Sequence, residues 1–231
     1  MQNEIMLVLS LVATYSTVLV FYKLFGKNGL YAWTAIATIA ANIEVLIMVD
    51  AFGMEQTLGN ILFASTFLVT DILSEIGGKK AANKAVKIGI LTTMTFIAIS
   101  QSWFYYIPNA TDWVSPAIRE VFANTPRLMI VGLVVYATAQ AFDVWLYHAI
   151  WKKTQEKYKD AKRGLWLRNN GSTLLSQLLN TILYTLGAFA GMYDTSTLIN
   201  IMAASYVVFI VTSLVDTPIV YLARKIKPNE D

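Results

Sequence analysis

Cysteine is absent from the 231 residues, which removes disulfides, thiolate nucleophiles and cysteine metal sites together. His148 is the one histidine, so a multi-histidine metal centre cannot be assembled within the chain. Charge is scarce: Asp, Glu, Lys and Arg make up 14% of the sequence, where a soluble domain carries roughly a quarter. No Gly-x-Ser-x-Gly elbow and no His-Glu-x-x-His site occurs, and Gly77-Gly78-Lys79-Lys80 lacks the spacing of a phosphate-binding loop. These gaps argue against an enzyme, against an ATPase in the same chain and against a resident cofactor or metal. The net charge of +3 is not gathered into a basic patch on a soluble fold, so nucleic-acid binding has no support.

What fills the chain instead is apolar sequence. Hydrophobic residues are 56% of the total and the mean hydropathy is +0.51. A membrane-crossing helix needs about 20 such residues. Seven stretches qualify, near 4–24, 30–50, 57–76, 86–107, 127–150, 168–192 and 198–222. The breaks fall at Gly26-Lys27-Asn28-Gly29, at Phe52-Gly53 and at Gly77-Gly78-Lys79-Lys80, and the longest connections are 108–126 and 151–167. The expected architecture is an all-α polytopic bundle of seven transmembrane helices forming one domain over residues 1–231. The first stretch lacks a basic n-region and carries Glu4, so it reads as a retained helix rather than a secretory signal.

Orientation follows from the basic residues. With the N-terminus outside and the C-terminus inside, 16 of the 18 Lys and Arg residues fall on inner connections, and only Arg119 and Arg127 lie outside. Trp103, Tyr105, Tyr106 and Tyr193 mark outer ends, and Trp151, Trp166 and Tyr221 mark inner ends, as aromatic belts do. In the outer connection Ser115-Pro116 predicts the start of a short interfacial helix running to about Ala123. Asn109-Ala110-Thr111 there matches a glycosylation sequon.

Polar residues inside the apolar stretches are the candidate functional groups, because an Asp at mid-bilayer costs ~2.5–3.5 kcal/mol on insertion scales. Asp71 and Glu75 lie four residues apart and Gln140 and Asp143 three apart, so each pair shares a helix face. Asn170, Thr173, Gln177, Asn180 and Tyr184 make one polar stripe. These three sets are expected at similar depth, in the inner half of the bilayer, around one cavity. Glu75 is expected to pair with Lys79 at the membrane surface or to face that cavity. Arg168 is the cation expected near Asp143. Asp216, before Thr217-Pro218, reads as part of a proline-broken helix end or of the site. Glu44 stands apart in the outer half, and His148 sits near the inner boundary as an interfacial residue. Gly187 and Gly191 form a small-xxx-small pattern that would permit close helix approach, including a homodimer.

Two blocks of residues carry a resemblance. Thr70-Asp71-Ile72-Leu73-Ser74-Glu75, followed by Gly78 and a basic stretch, is similar to the signature of the queuosine precursor transporter family, also described as vitamin uptake transporters. Gln140-Ala141-Phe142-Asp143-Val144, a basic loop, then Leu165-Trp166-Leu167-Arg168-Asn169-Asn170-Gly171-Ser172-Thr173 resembles the family's second signature, continued by Gln177 and Asn180-Thr181. The family often has an aromatic residue where Gly77 stands and Asp where Asn180 stands. The resemblance implies uptake of 7-deazaguanines, the cyano- and aminomethyl-deazaguanine precursors of queuosine or queuine, through the cytoplasmic (inner) membrane. A guanine-like edge presents a ring N–H and an amine for Asp143 or Asp71, and acceptors for the amides of Asn170, Gln177, Asn180 and Gln140. Phe142, Trp166 and Tyr184 are the candidates for stacking, and Glu75 and Arg168 complete the expected set. The rival reading is a membrane-embedded binding subunit for a vitamin-like aromatic solute that depends on a separate ATPase.

Overall fold

The computed structural model describes residues 1–122, 126–160 and 162–229. Six α-helices and one β-hairpin follow in order: α1 (Gln2–Glu44), β1 (Met48–Ala51), β2 (Met54–Thr57), α2 (Asn60–Ser102), α3 (Ser115–Phe122), α4 (Pro126–Tyr158), α5 (Leu165–Phe189) and α6 (Thr195–Ala223), with a 3₁₀ turn at Trp103–Tyr105. Among the described residues α1, α2 with its 3₁₀ turn, α4 and α6 are long and apolar enough to cross a membrane.

The two longest helices are each folded back on themselves. α1 breaks at Gly26 (φ 55°, ψ −138°), a backbone region that favours glycine. The rings of Phe21 and Trp33 then meet at 5.6 Å, although twelve residues of straight helix would separate them by about 18 Å. The return is tight: a Cβ on Gly29 would lie 2.0 Å from the Phe21 carbonyl oxygen. α2 breaks in the same way at Gly78 (φ 71°, ψ −178°), and both of its arms reach one residue, Tyr136 of α4. Phe63 packs edge-on against that ring at 6.1 Å, and a Cβ on Gly89 would sit 2.0 Å from its hydroxyl oxygen. Gly89→Ala should therefore destabilise by about 1–3 kcal/mol through overpacking and lower the melting temperature in detergent; an unchanged value would contradict the close approach.

Several boundaries differ from those expected. The stretch 30–50 ends as helix at Glu44, and its last residues enter a β-hairpin with Met48 opposite Thr57 and Ala51 opposite Met54. Phe52 (φ 54°) and Gly53 (φ 73°) form its two-residue turn, the positive-φ pair that matches strand twist. A short apolar run such as Val45–Val49 has no periodicity that separates strand from helix. α4 continues to Tyr158, because Lys152-Lys153-Thr154-Gln155-Glu156-Lys157 is rich in helix formers; the connection expected at 151–167 shrinks accordingly. α5 begins at Leu165, after Gly164 in the left-handed region (φ 77°). α6 runs through Pro218 instead of ending there. At α3 the helix-start acceptor is Asp112, which takes the backbone N–H groups of Val114 and Ser115; hydrogen bonds from Ser115 hold its carboxyl below the usual range. Ala123 lies outside the described residues.

Contacts sort the connections into two ends. At one, Lys27 approaches Gly77, Lys23 donates to the Lys227 carbonyl, and Arg224 reaches the carbonyl of Lys162. At the other, Asn3 donates to the Asp50 carbonyl, and Arg127 caps the end of α5 through the carbonyls of Gly187 and Ala190 at 3.0 and 2.9 Å. Gly187 serves close approach inside the chain, since a Cβ there would lie 2.7 Å from Val131. Gly191 (φ 82°) ends the α5 turn, with open space where a Cβ would lie.

Candidate functional site

Polar side chains from α2, α4, α5 and α6 form three layers between these ends. The first arm of α2, α4 and α6 descend through the layers in chain order, and α5 climbs back through them.

The first layer is a cavity of about 90 Å³, room for several waters at ~10–15 Å³ each. Its wall carries no charged residue. Phe63, Tyr136, Tyr184 and Phe209 supply rings, and Asn42, Asn60, Thr66 and Asn180 supply polar groups. The hydroxyls of Tyr136, Tyr184, Thr93 and Thr181 and the Asn60 amide nitrogen have no hydrogen-bond partner among the described residues. Buried polar atoms are normally paired, so this set stands ready for a ligand or water.

Below the cavity, Gln140 ties α4 to α2, donating to the Thr66 hydroxyl at 2.7 Å and accepting from Thr70 at 3.2 Å. The second layer holds three carboxylates, Asp71, Asp143 and Asp216, each at most 1% exposed and in electrostatic reach of one another. Thr173 donates to Asp71 at 3.1 Å and Ser176 to Asp143 at 2.8 Å. The second oxygen of each is unpartnered, as are both oxygens of Asp216 and both amide atoms of Gln177. Asn170 donates to Thr217 at 2.7 Å and accepts from Ser213 at 3.3 Å, which joins α5 to α6. None of the three carboxylates is in a salt bridge among the described residues.

The third layer is an ion-pair cluster. One Glu75 oxygen accepts from Arg168 Nε at 2.6 Å and from the Tyr147 hydroxyl at 2.5 Å. The other accepts from Arg224 through Nε at 2.8 Å and through a second guanidinium nitrogen. Arg168 also donates to the Arg163 carbonyl and lies 4.3 Å from the Trp151 ring centroid. Four helices are thus pinned at the basic end. Glu75 pairs with these arginines rather than Lys79, and Arg168 pairs with Glu75.

Of the residues expected from sequence, Asn180 and Tyr184 stand at the cavity. Asp71, Gln140, Asp143, Asn170 and Gln177 are buried beneath it, and Glu75 and Arg168 lie deeper. Trp166 is 57% exposed on the outer face of α5, and Phe142 stacks against the exposed Trp145; neither ring reaches the cavity. The rings that do, beyond Tyr184, are Phe63, Tyr136, Phe189 and Phe209; they were missed because isolated aromatics in apolar runs look like core. Thr66 and Tyr147 carry no local signal either. His148 stacks on Trp151, and Glu44 closes the last turn of α1 beside the cavity-lining Asn42 and Val45.

Long apolar helices enclosing a layered polar centre define an integral membrane protein, not a soluble enzyme. The model of the family described as "Putative vitamin uptake transporter" matches residues 57–223, which takes in most of the site but not Asn42 or Arg224, and the chain belongs to that family of transporters. It is 36% identical over 214 residues to the "Probable queuosine precursor transporter" of Bacillus subtilis (strain 168), covering 93% of this chain and 91% of the relative. No solved structure matches.

Proposed function

We propose that the protein imports 7-deazaguanine precursors of queuosine across the cytoplasmic membrane. The observation that carries this reading is the uncharged aromatic cavity lying directly over carboxylates with unused acceptor oxygens. A flat base stacks on rings such as Tyr184 and Tyr136 and offers its N–H and amine edge to Asp71 and Asp143. Asn170, Gln177, Asn180 and Gln140 answer its carbonyl and ring nitrogen. The name of the Bacillus relative agrees with that chemistry.

In this reading the folded-back arms of α1 and α2 count as separate spans, which with α4, α5 and α6 makes seven, N-terminus outside and C-terminus inside. The basic end then faces the cytoplasm, as the positive-inside rule expects, and the cavity lies toward the outside. The ion-pair cluster is the inner closure.

Purified protein in liposomes should take up labelled cyano- or aminomethyl-deazaguanine or queuine saturably, while guanine competes weakly. Binding without uptake would favour a subunit that works with an ATPase. No binding of any of the three would overturn the substrate assignment.

A further inference from the structure

Asp216 differs from the other two carboxylates of its layer. Asp71 and Asp143 each receive a well-formed hydroxyl hydrogen bond from α5, whereas Asp216, 1% exposed, has only the Tyr15 hydroxyl beside it, outside good hydrogen-bond geometry. An ionised carboxylate buried with no cation is costly, and such groups neutralise instead; among the described residues Asp216 has no salt bridge.

The groups that face Asp216 from each packed element fit a neutral acid. α1 brings Tyr15, 2% exposed, whose hydroxyl lies beside Asp216 and Thr212. α2 brings Asp71 and α4 brings Asp143, both of the same sign. α5 contributes the uncharged Asn169 and Asn170, which reach Thr217 and Ser213 beside it in α6. The cations Arg168 and Arg224 lie one layer deeper, bound to Glu75 with Tyr147. Among the described residues no three acidic or histidine side chains are grouped to hold a metal ion; a proton needs no such cage.

We propose that Asp216 is a proton-binding site and that its proton crosses the membrane with the substrate. An O–H bond forms at Asp216 from water on the cavity side and is broken to water on the cytoplasmic side, with no electron exchanged. The coupling rests on the import reading above; the protonation does not.

The first test therefore uses no substrate. Infrared spectra of the full chain in detergent at neutral pH should contain a protonated-carboxyl band that Asp216→Asn removes, and identical spectra would overturn the proposal. Tyr15→Phe, which alters the surroundings of the acid without touching it, should shift the pH at which that band disappears; an unmoved midpoint would count against the site. In liposomes, an acid-outside gradient should raise accumulation of the uncharged cyano-deazaguanine at least tenfold and acidify the lumen. Asp216→Asn should lose both that gradient-driven gain and the acidification of the lumen. Gradient-indifferent uptake by the unaltered protein, or gradient-driven uptake by the variant, would sink the coupling. Failure of the unaltered protein to bind any deazaguanine would instead sink the import reading, with the infrared result standing.

Discussion

Replacing Glu75 with glutamine should be the most destabilising conservative change in the chain. The carboxylate is 2% exposed and its Arg168 partner is fully buried, while Arg224 is 23% exposed. Removing one member of a buried pair costs about 3–5 kcal/mol, because the remaining charge stays desolvated. Here two guanidiniums lose their counter-charge at once, Arg224 less severely because water screens it. The glutamine variant should express poorly or melt well below the unaltered protein in detergent, whereas Lys79→Ala should leave the melting temperature unchanged. Equal melting of the glutamine variant would mean that the cluster does not hold the basic ends of α2, α5 and α6 together. The distinction matters for transport, because the same cluster stands between the acid layer and the cytoplasmic side in the proposed orientation.

The cluster also marks where sequence reasoning runs out. Asp71 and Glu75 share a face by spacing alone, and so do the residues of the α5 stripe; helical periodicity reaches that far. It does not reach partners on other helices. Glu75 had a cation four residues away in Lys79, and nothing local marks Arg168 and Arg224 as its partners, 93 and 149 residues distant. The helical segments themselves were legible, because hydropathy and length constrain them strongly. Their joints were less so: Gly26 and Gly78 were read as loops, yet each is a single left-handed residue between two helical arms. The hairpin at Met48–Thr57 was hidden in an apolar run of ambiguous period. Trp166 illustrates the opposite error. An aromatic near a polar stripe was read toward the site, but the buried Leu165 and Arg168 beside it face inward and leave Trp166 outward.

Asp143→Ala should abolish uptake while leaving the protein folded. Asp143 is held by the Ser176 hydroxyl on one oxygen, and its other oxygen is unpartnered, so the fold invests one hydrogen bond in a group suited to accept more. A hydrogen bond to a charged group contributes about 1.5–3 kcal/mol. Two donors of a guanine-like edge reaching this carboxylate would contribute about 3–6 kcal/mol, or roughly 10²–10⁴ in affinity at 1.4 kcal/mol per tenfold. Truncation also relieves like-charge repulsion with Asp71, which offsets the loss of the Ser176 bond in the fold. Stability and transport should therefore move apart: a monodisperse protein with a melting temperature near that of the unaltered chain, and uptake at background. Asp143→Asn sharpens the test, since the amide keeps shape but turns one acceptor into a donor that opposes the substrate amine. Uptake retained by both variants would remove Asp143 from the site and leave Asp71, one layer-mate across α2, to carry recognition.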